Sequence, residues 1–232
     1  MKNLIIINDR LPAEAKNRLS SLGDLICFSS SGITYESISG HPDVFFCETP
    51  EGLIAAPNTP NGIISKLARH KVTPKFGNGD VGMAYPDTAH YNAVVAENYI
   101  IHNHEITDPL IKTLAEGKSF IQVAQGYTRC NLLDLGNGNF ITSDKGIEKV
   151  LVNLGFQVLY VSPTGIELNG FPHGFIGGCC GILRDSILIS GSFKHYEEGE
   201  AFKSFANGKG FQILELYDGP LVDGGGVICF QT

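Results

Sequence analysis

No apolar stretch in this 232-residue sequence approaches the length of a membrane span. The longest runs, such as residues 4–7 and 187–189, stop after a few positions. An excess of positive charge is also missing. The net charge of −7 argues against a surface that tracks phosphates, and so against nucleic acid as a partner. There is no Cys-x-x-Cys pair, and the seven histidines show no spacing that couples them to the six cysteines. Neither a metal site nor a cofactor is therefore expected. Residues 1–10 carry one early positive charge and no apolar core of a signal peptide, so a cytoplasmic location with reduced thiols is expected. Polar tracts are absent, and 43% of residues are hydrophobic, enough for a sizeable core.

What the chain does have is glycine, 28 residues against a usual share of about 7%, which points to many tight turns. It also has a repeat. A small residue, a ring-bearing residue, often proline and often a polar residue recur together. The marks are Gly40-His41-Pro42-Asp43, Ala84-Tyr85-Pro86-Asp87, Gly126-Tyr127-Thr128-Arg129, Gly170-Phe171-Pro172-His173 and, most weakly, Leu216-Tyr217-Asp218-Gly219. The spacing is about 44 residues. After each of the first four marks, apolar stretches resume across a turn rich in Asn, Gly or Asp, residues that tolerate positive φ. Segments with helical periodicity follow at 63–70, 110–116, 147–154 and 200–206, and a further one lies at 13–22. Asp108-Pro109 reads as an N-cap with a first-turn proline, and Gly155 as a helix stop. The chain begins strand–helix–strand and ends on a strand, so its two ends together complete a fifth unit. The expectation is one α/β domain over residues 1–232: a five-fold pseudosymmetric α/β-propeller closed by both termini.

Such a ring points equivalent residues at one axis. Asp43, Asp87, Arg129 and His173 would then converge on a pocket, or else cap backbone groups at its rim. Arg129 suits a substrate carboxylate and equally an internal pair with Asp43 or Asp87. The ending Gly224-Gly225-Gly226-Val227-Ile228-Cys229 lets backbone pass close to a ligand or another strand. Cys229 reads either as a small buried hydrophobe or as a functional thiol. His102 and His104 share a strand face without a third ligand, which a half-exposed strand explains.

The period and the glycine-rich ending resemble the pentein superfamily of guanidino-group modifying enzymes, which includes arginine and agmatine deiminases and dimethylarginine dimethylaminohydrolases. The stretch from Pro42-Asp43 through Glu48-Thr49 is similar to a first-repeat motif of the dimethylaminohydrolases. Phe171-Pro172-His173 sits where the superfamily carries its fourth-repeat histidine. The run from Asn131 to Gly136 resembles the strand after its acidic third-repeat motif. The resemblance implies Cys229 as nucleophile and His173 as acid/base, opening a C–N bond through a covalent thiouronium-type adduct. Asp43, Glu48, Asp87, Arg129 and Asn131 would bind the substrate. The chain departs from the pattern at Thr49, Thr128 and Asn131, where carboxylates are usual. That favours an uncharged ureido or amide-like group, or a guanidine held by the remaining acids. The expected partner is a small molecule, with neither nucleic acid nor membrane, and self-association is left open. A non-catalytic binder, like the pentein ribosome anti-association factor, is the competing reading.

Overall fold

Leu4-Ile5-Ile6-Ile7 is apolar at every position, as a strand covered on both faces must be. It forms β1 (Asn3–Asn8) in the computed structural model, which describes residues 3–231. Helix α1 (Ala13–Ser20), burying Ala15 and Leu19, leads to β2 (Asp24–Phe28), parallel to β1. A four-residue helical turn, α2 (Pro42–Phe45), opens the next unit. It runs into β3 (Phe46–Thr49) and β4 (Gly52–Ala55), an antiparallel hairpin, then α3 (Asn61–Arg69) and β5 (Lys75–Phe76), parallel to β4.

The same plan repeats. The hairpin β6 (Val94–Val95) and β7 (Tyr99–His102) is followed by α4 (Pro109–Thr113) and by β8 (Ser119–Gln122). A second short turn, α5 (Thr128–Asn131), precedes β9 (Leu132–Asp134) and β10 (Asn139–Thr142). Helix α6 (Lys145–Asn153) and β11 (Gln157–Tyr160) complete that unit. After the short β12 (Ile166–Glu167), the hairpin β13 (Cys180–Leu183) and β14 (Ser186–Ile189) leads through α7 (Gly199–Gly208) to β15 (Gln212–Glu215). Strand β16 (Leu221–Val222) pairs with β12, and β17 (Ile228–Gln231) lies antiparallel to β1.

Five three-stranded sheets therefore share one pattern, an antiparallel pair plus a helix-connected parallel strand; in four the pair is a hairpin, and in the fifth it joins both ends of the chain. The sheets are separate; among the described residues no hydrogen-bonded sheet closes on itself. The five helical segments read from periodicity all form helices. Asp108 accepts from the Leu110 amide at 2.8 Å and Asp144 from the Ile147 amide at 2.8 Å, the side-chain caps that begin α4 and α6. Gly155 ends α6 at φ +86°. Each helix lays an apolar stripe on its own sheet, as Phe202 and Ala206 of α7 do against Ile187 and Ile189. One strand reading is corrected. His102 is fully buried, with Nδ1 2.7 Å from Thr107 Oγ1 and Nε2 2.8 Å from the Gly126 carbonyl, so it belongs to the interior.

Candidate functional site

The segments that lead into the five antiparallel strand pairs meet one another. Asn92 Nδ2 donates to the Asp43 carbonyl at 3.1 Å, and its Oδ1 accepts from the Cys130 amide at 3.0 Å. Arg129 Nη1 donates to the Gly177 carbonyl at 2.8 Å. The Gly224 and Gly226 amides donate to the Gly178 carbonyl at 3.0 and 2.8 Å, and the Asp43 amide reaches the Gly225 carbonyl at 3.4 Å. These bonds run from each segment to the next and back to the first. The approach is close enough to require glycine. A Cβ on Gly226 would overlap the Arg129 guanidinium, and one on Gly225 would overlap His41; both adopt positive φ.

A cavity of about 260 Å³ opens on one side of this meeting point. Its floor carries His41, Cys130 and Asp223, and its walls are mostly aromatic: Tyr35, Tyr127, Phe171 and Phe175, with His173 beside them. Because α5 is a helical turn, Cys130 projects inward from it. Its Sγ donates to Asp43 Oδ2 at 2.8 Å and lies 3.9 Å from Asp223 Oδ1. The His41 Nδ1 is 3.8 Å from the same Asp223 oxygen. Asp223 is held by two backbone amides, Phe175 to Oδ2 at 2.9 Å and Gly225 to Oδ1 at 3.0 Å. His41 Nε2 and Asp43 Oδ1 are buried with no hydrogen-bond partner.

Burial dominates the electrostatics here. It lowers the His41 imidazole to about 4 and raises Asp223 to about 6. It also drives the Cys130 thiol well above the ordinary range, with the Asp223 and Asp43 charges adding to the effect. The resting floor is thus a neutral imidazole beside a protonated thiol.

The residues singled out from the sequence separate into two groups. Asp43 and His173 reach this region, His173 with its Nδ1 3.0 Å from the Gly174 carbonyl. Arg129 and Glu48 lie together at a second, smaller cavity of about 220 Å³. There Arg129 is paired internally: Nη1 is 4.0 Å from Asp43 Oδ2 and Nη2 is 3.7 Å from Glu48 Oε2. Asn131 is buried, donating to the Tyr127 carbonyl at 3.0 Å and accepting from Ser143 Oγ at 3.2 Å. The Asp87 side chain is 61% exposed and faces His90, away from the floor. Cys229 packs on β17 against the cluster of Ile5 and Ile7. Among the described residues no hydrogen bond or ion pair joins it to His173, and it does not line the cavity that His173 lines.

Four residues that meet here carried no signal as site residues. His41 is the ring residue of the first mark, and Cys130 follows Arg129. Asp223 immediately precedes the triple glycine. Asn92, which bridges three segments, lies seven positions past the second mark.

Comparisons with known proteins agree with this architecture. Similar folds occur in DDAH from Pseudomonas aeruginosa complexed with citrulline (9% identity, 93% of this chain and 92% of that one, TM-score 0.54). They occur also in SxtG, an amidinotransferase from Microseira wollei (11%, 92% and 88%, TM-score 0.55). Agmatine deiminase from C. jejuni is similar too (10%, 93% and 87%, TM-score 0.55). All three are pentein superfamily members, and this chain shares their fold. No curated protein matches the sequence. Residues 6–228 match the family of unknown function DUF6873, and the chain belongs to that family.

Proposed function

We propose that this chain is a thiol-dependent enzyme acting on a C–N bond of a small guanidino-, ureido- or amide-like compound, with Cys130 as the nucleophile. The observation that carries the reading is the convergence of Cys130, His41 and Asp223 on the floor of one aromatic-walled cavity, with His173 on its wall. Five like units around one axis, forming a single propeller-like domain over residues 1–232, supply the geometric reason. Each unit delivers one short segment to the axis, so groups far apart in sequence become neighbours. Cysteine chemistry was expected at Cys229; Cys130 is preferred because it shares a cavity with a histidine.

A protonated thiol is a weak nucleophile, so the substrate must help to ionise it. A planar cation or polarised amide seated between Tyr35, Tyr127 and Phe171 meets the aromatic faces and the Asp223 and Asp43 carboxylates. Its charge favours thiolate formation, and the thiol proton passes to Asp43, which the thiol already contacts. Sulfur then attacks the electron-poor carbon. The C–S bond forms, the C–N bond breaks, and the departing amine takes a proton from His173. A water deprotonated by His173 attacks the adduct, breaking the C–S bond and returning Cys130 to its thiol state with the proton from Asp43. Arg129 holds Asp43 and Glu48 in place and stays out of contact with substrate. Structural neighbours that handle citrulline or agmatine support this class of ligand.

The test is alkylation by a haloacetamidine, a cationic amidine electrophile, followed by peptide mass spectrometry. Cys130 is expected to label first, and Cys130→Ser to retain fold while abolishing the fast phase. Labelling that falls first on Cys229, or evenly across the six thiols, rejects Cys130 as the nucleophile.

A further inference from the structure

We infer that His41, Cys130 and Asp223 form a binding site for one thiophilic divalent cation of the zinc class. The inference concerns these side chains alone and does not require that the protein turn over any substrate. The three ligand atoms, a nitrogen, a sulfur and an oxygen, lie within 4.8 Å of one another, and all three residues are buried. They come from separate units of the fold. Sequence spacing therefore gives no metal signature, and none was expected.

Geometry comes first. Zinc bonds of about 2.0–2.3 Å place tetrahedral donors roughly 3.3–3.7 Å apart. The observed His41 Nδ1 to Asp223 Oδ1 and Cys130 Sγ to Asp223 Oδ1 separations are 3.8 and 3.9 Å. A contraction of a few tenths of an ångström brings those two separations to the zinc range, in a set whose donors all lie within 4.8 Å of one another. The fourth direction faces the cavity, leaving an open position. The mixed sulfur, nitrogen and oxygen donors suit zinc or cobalt and do not suit magnesium or calcium.

The second observation is that the imidazole is free to adjust. The His41 ring is 2% exposed, yet no hydrogen bond holds its Nε2, so the ring can shift toward an ion at Nδ1 without breaking a bond on that side. Charge points the same way. Cys130 as thiolate, with Asp223 and Asp43, would face Arg129 as the nearest cation, and Arg129 is already shared with Glu48. A divalent ion neutralises the thiolate and Asp223, leaving Arg129 to the other two acids. The outer shell is built as well. Asp223 keeps lone pairs free while the Phe175 and Gly225 amides fix its orientation.

The experiment titrates chelator-treated protein with Co²⁺ and follows the absorption spectrum, then repeats it with Zn²⁺ as competitor. One equivalent is expected to produce a sulfur-to-cobalt charge-transfer band and tetrahedral d–d bands, both removed by Zn²⁺. Cys130→Ser is expected to lose the charge-transfer band, and His41→Gln to weaken binding by more than about 100-fold, beyond the cost of an outer-shell loss. Cys27→Ser should bind as the parent does. A parallel measurement needs no variant: Zn²⁺ should protect Cys130 of the parent protein from iodoacetamide and leave Cys27 unprotected. No charge-transfer band in the parent, a band that survives Cys130→Ser, or absence of protection at Cys130 overturns the site. The cobalt spectra do not depend on the alkylation preference that tests the enzyme reading, so either can fail alone.

Discussion

Arg129 and His41 sit on two sides of the same meeting point and are treated differently. Arg129 is answered in full: two carbonyls accept from it, Gly177 at 2.8 Å and Cys180 at 3.3 Å, and two carboxylates stand at 4.0 and 3.7 Å. On the cavity side, His41 Nε2 and Asp43 Oδ1 are buried and unanswered. A satisfied buried charge holds segments together. An unsatisfied one has binding capacity in reserve, and a fold retains it at a cost to stability only where something else uses it.

The largest effect should come from the answered side. Arg129→Met leaves Asp43 and Glu48 without their counter-charge and should destabilise by about 3–5 kcal/mol, read from urea unfolding. A loss under about 1 kcal/mol would mean that Arg129 is spare charge, and the contrast would collapse.

Next in size is a pH effect that compares two histidines. Burial lowers both His41 and His102 to about 4 from an ordinary 6.5, but both ring nitrogens of His102 are bonded. A depressed folded value means that the unfolded chain takes up the proton first. Stability is therefore intact above about 6.5 and falls as the pH drops toward 4, by on the order of 3 kcal/mol for a histidine that stays neutral. Unfolding midpoints across that window should flatten in His102→Gln relative to the parent. Parallel curves for the two proteins would mean that His102 does not titrate in this way.

Much of the architecture was legible because it rests on local periodicity. Apolar stripes, the Asp108 cap and the turn glycines each act within one segment, and the five helices read from periodicity fell where the pattern put them, while the short turns α2 and α5 carried no such signal. The site was less legible for a geometric reason. Arg129 was chosen by its place in the third mark, and Asn131 by the resemblance. Residues 128–131 form a helical turn, so Cys130 points inward while Asn131 bonds back to Tyr127. Asp87 was chosen by its mark, yet the second segment reaches the centre at Asn92. Which residue of each segment arrives at the meeting point depends on local backbone turns that the spacing of the marks does not resolve.

The smallest expected effect gives the sharpest comparison. Phe171 is 47% exposed and tilts over Tyr35 with ring centroids 5.9 Å apart, at the rim of the cavity above Cys130. Its exposure limits what it contributes to stability, so Phe171→Ala should shift unfolding by less than about 1 kcal/mol. The same truncation removes a wall between solvent and the thiol. Iodoacetamide should therefore modify Cys130 faster, while Cys27, on β2, keeps its rate. If stability drops severely with no change at Cys130, Phe171 is a packing residue and the cavity is not the route to the sulfur. If labelling accelerates with stability unchanged, the unanswered side of the meeting point is the side that solutes reach.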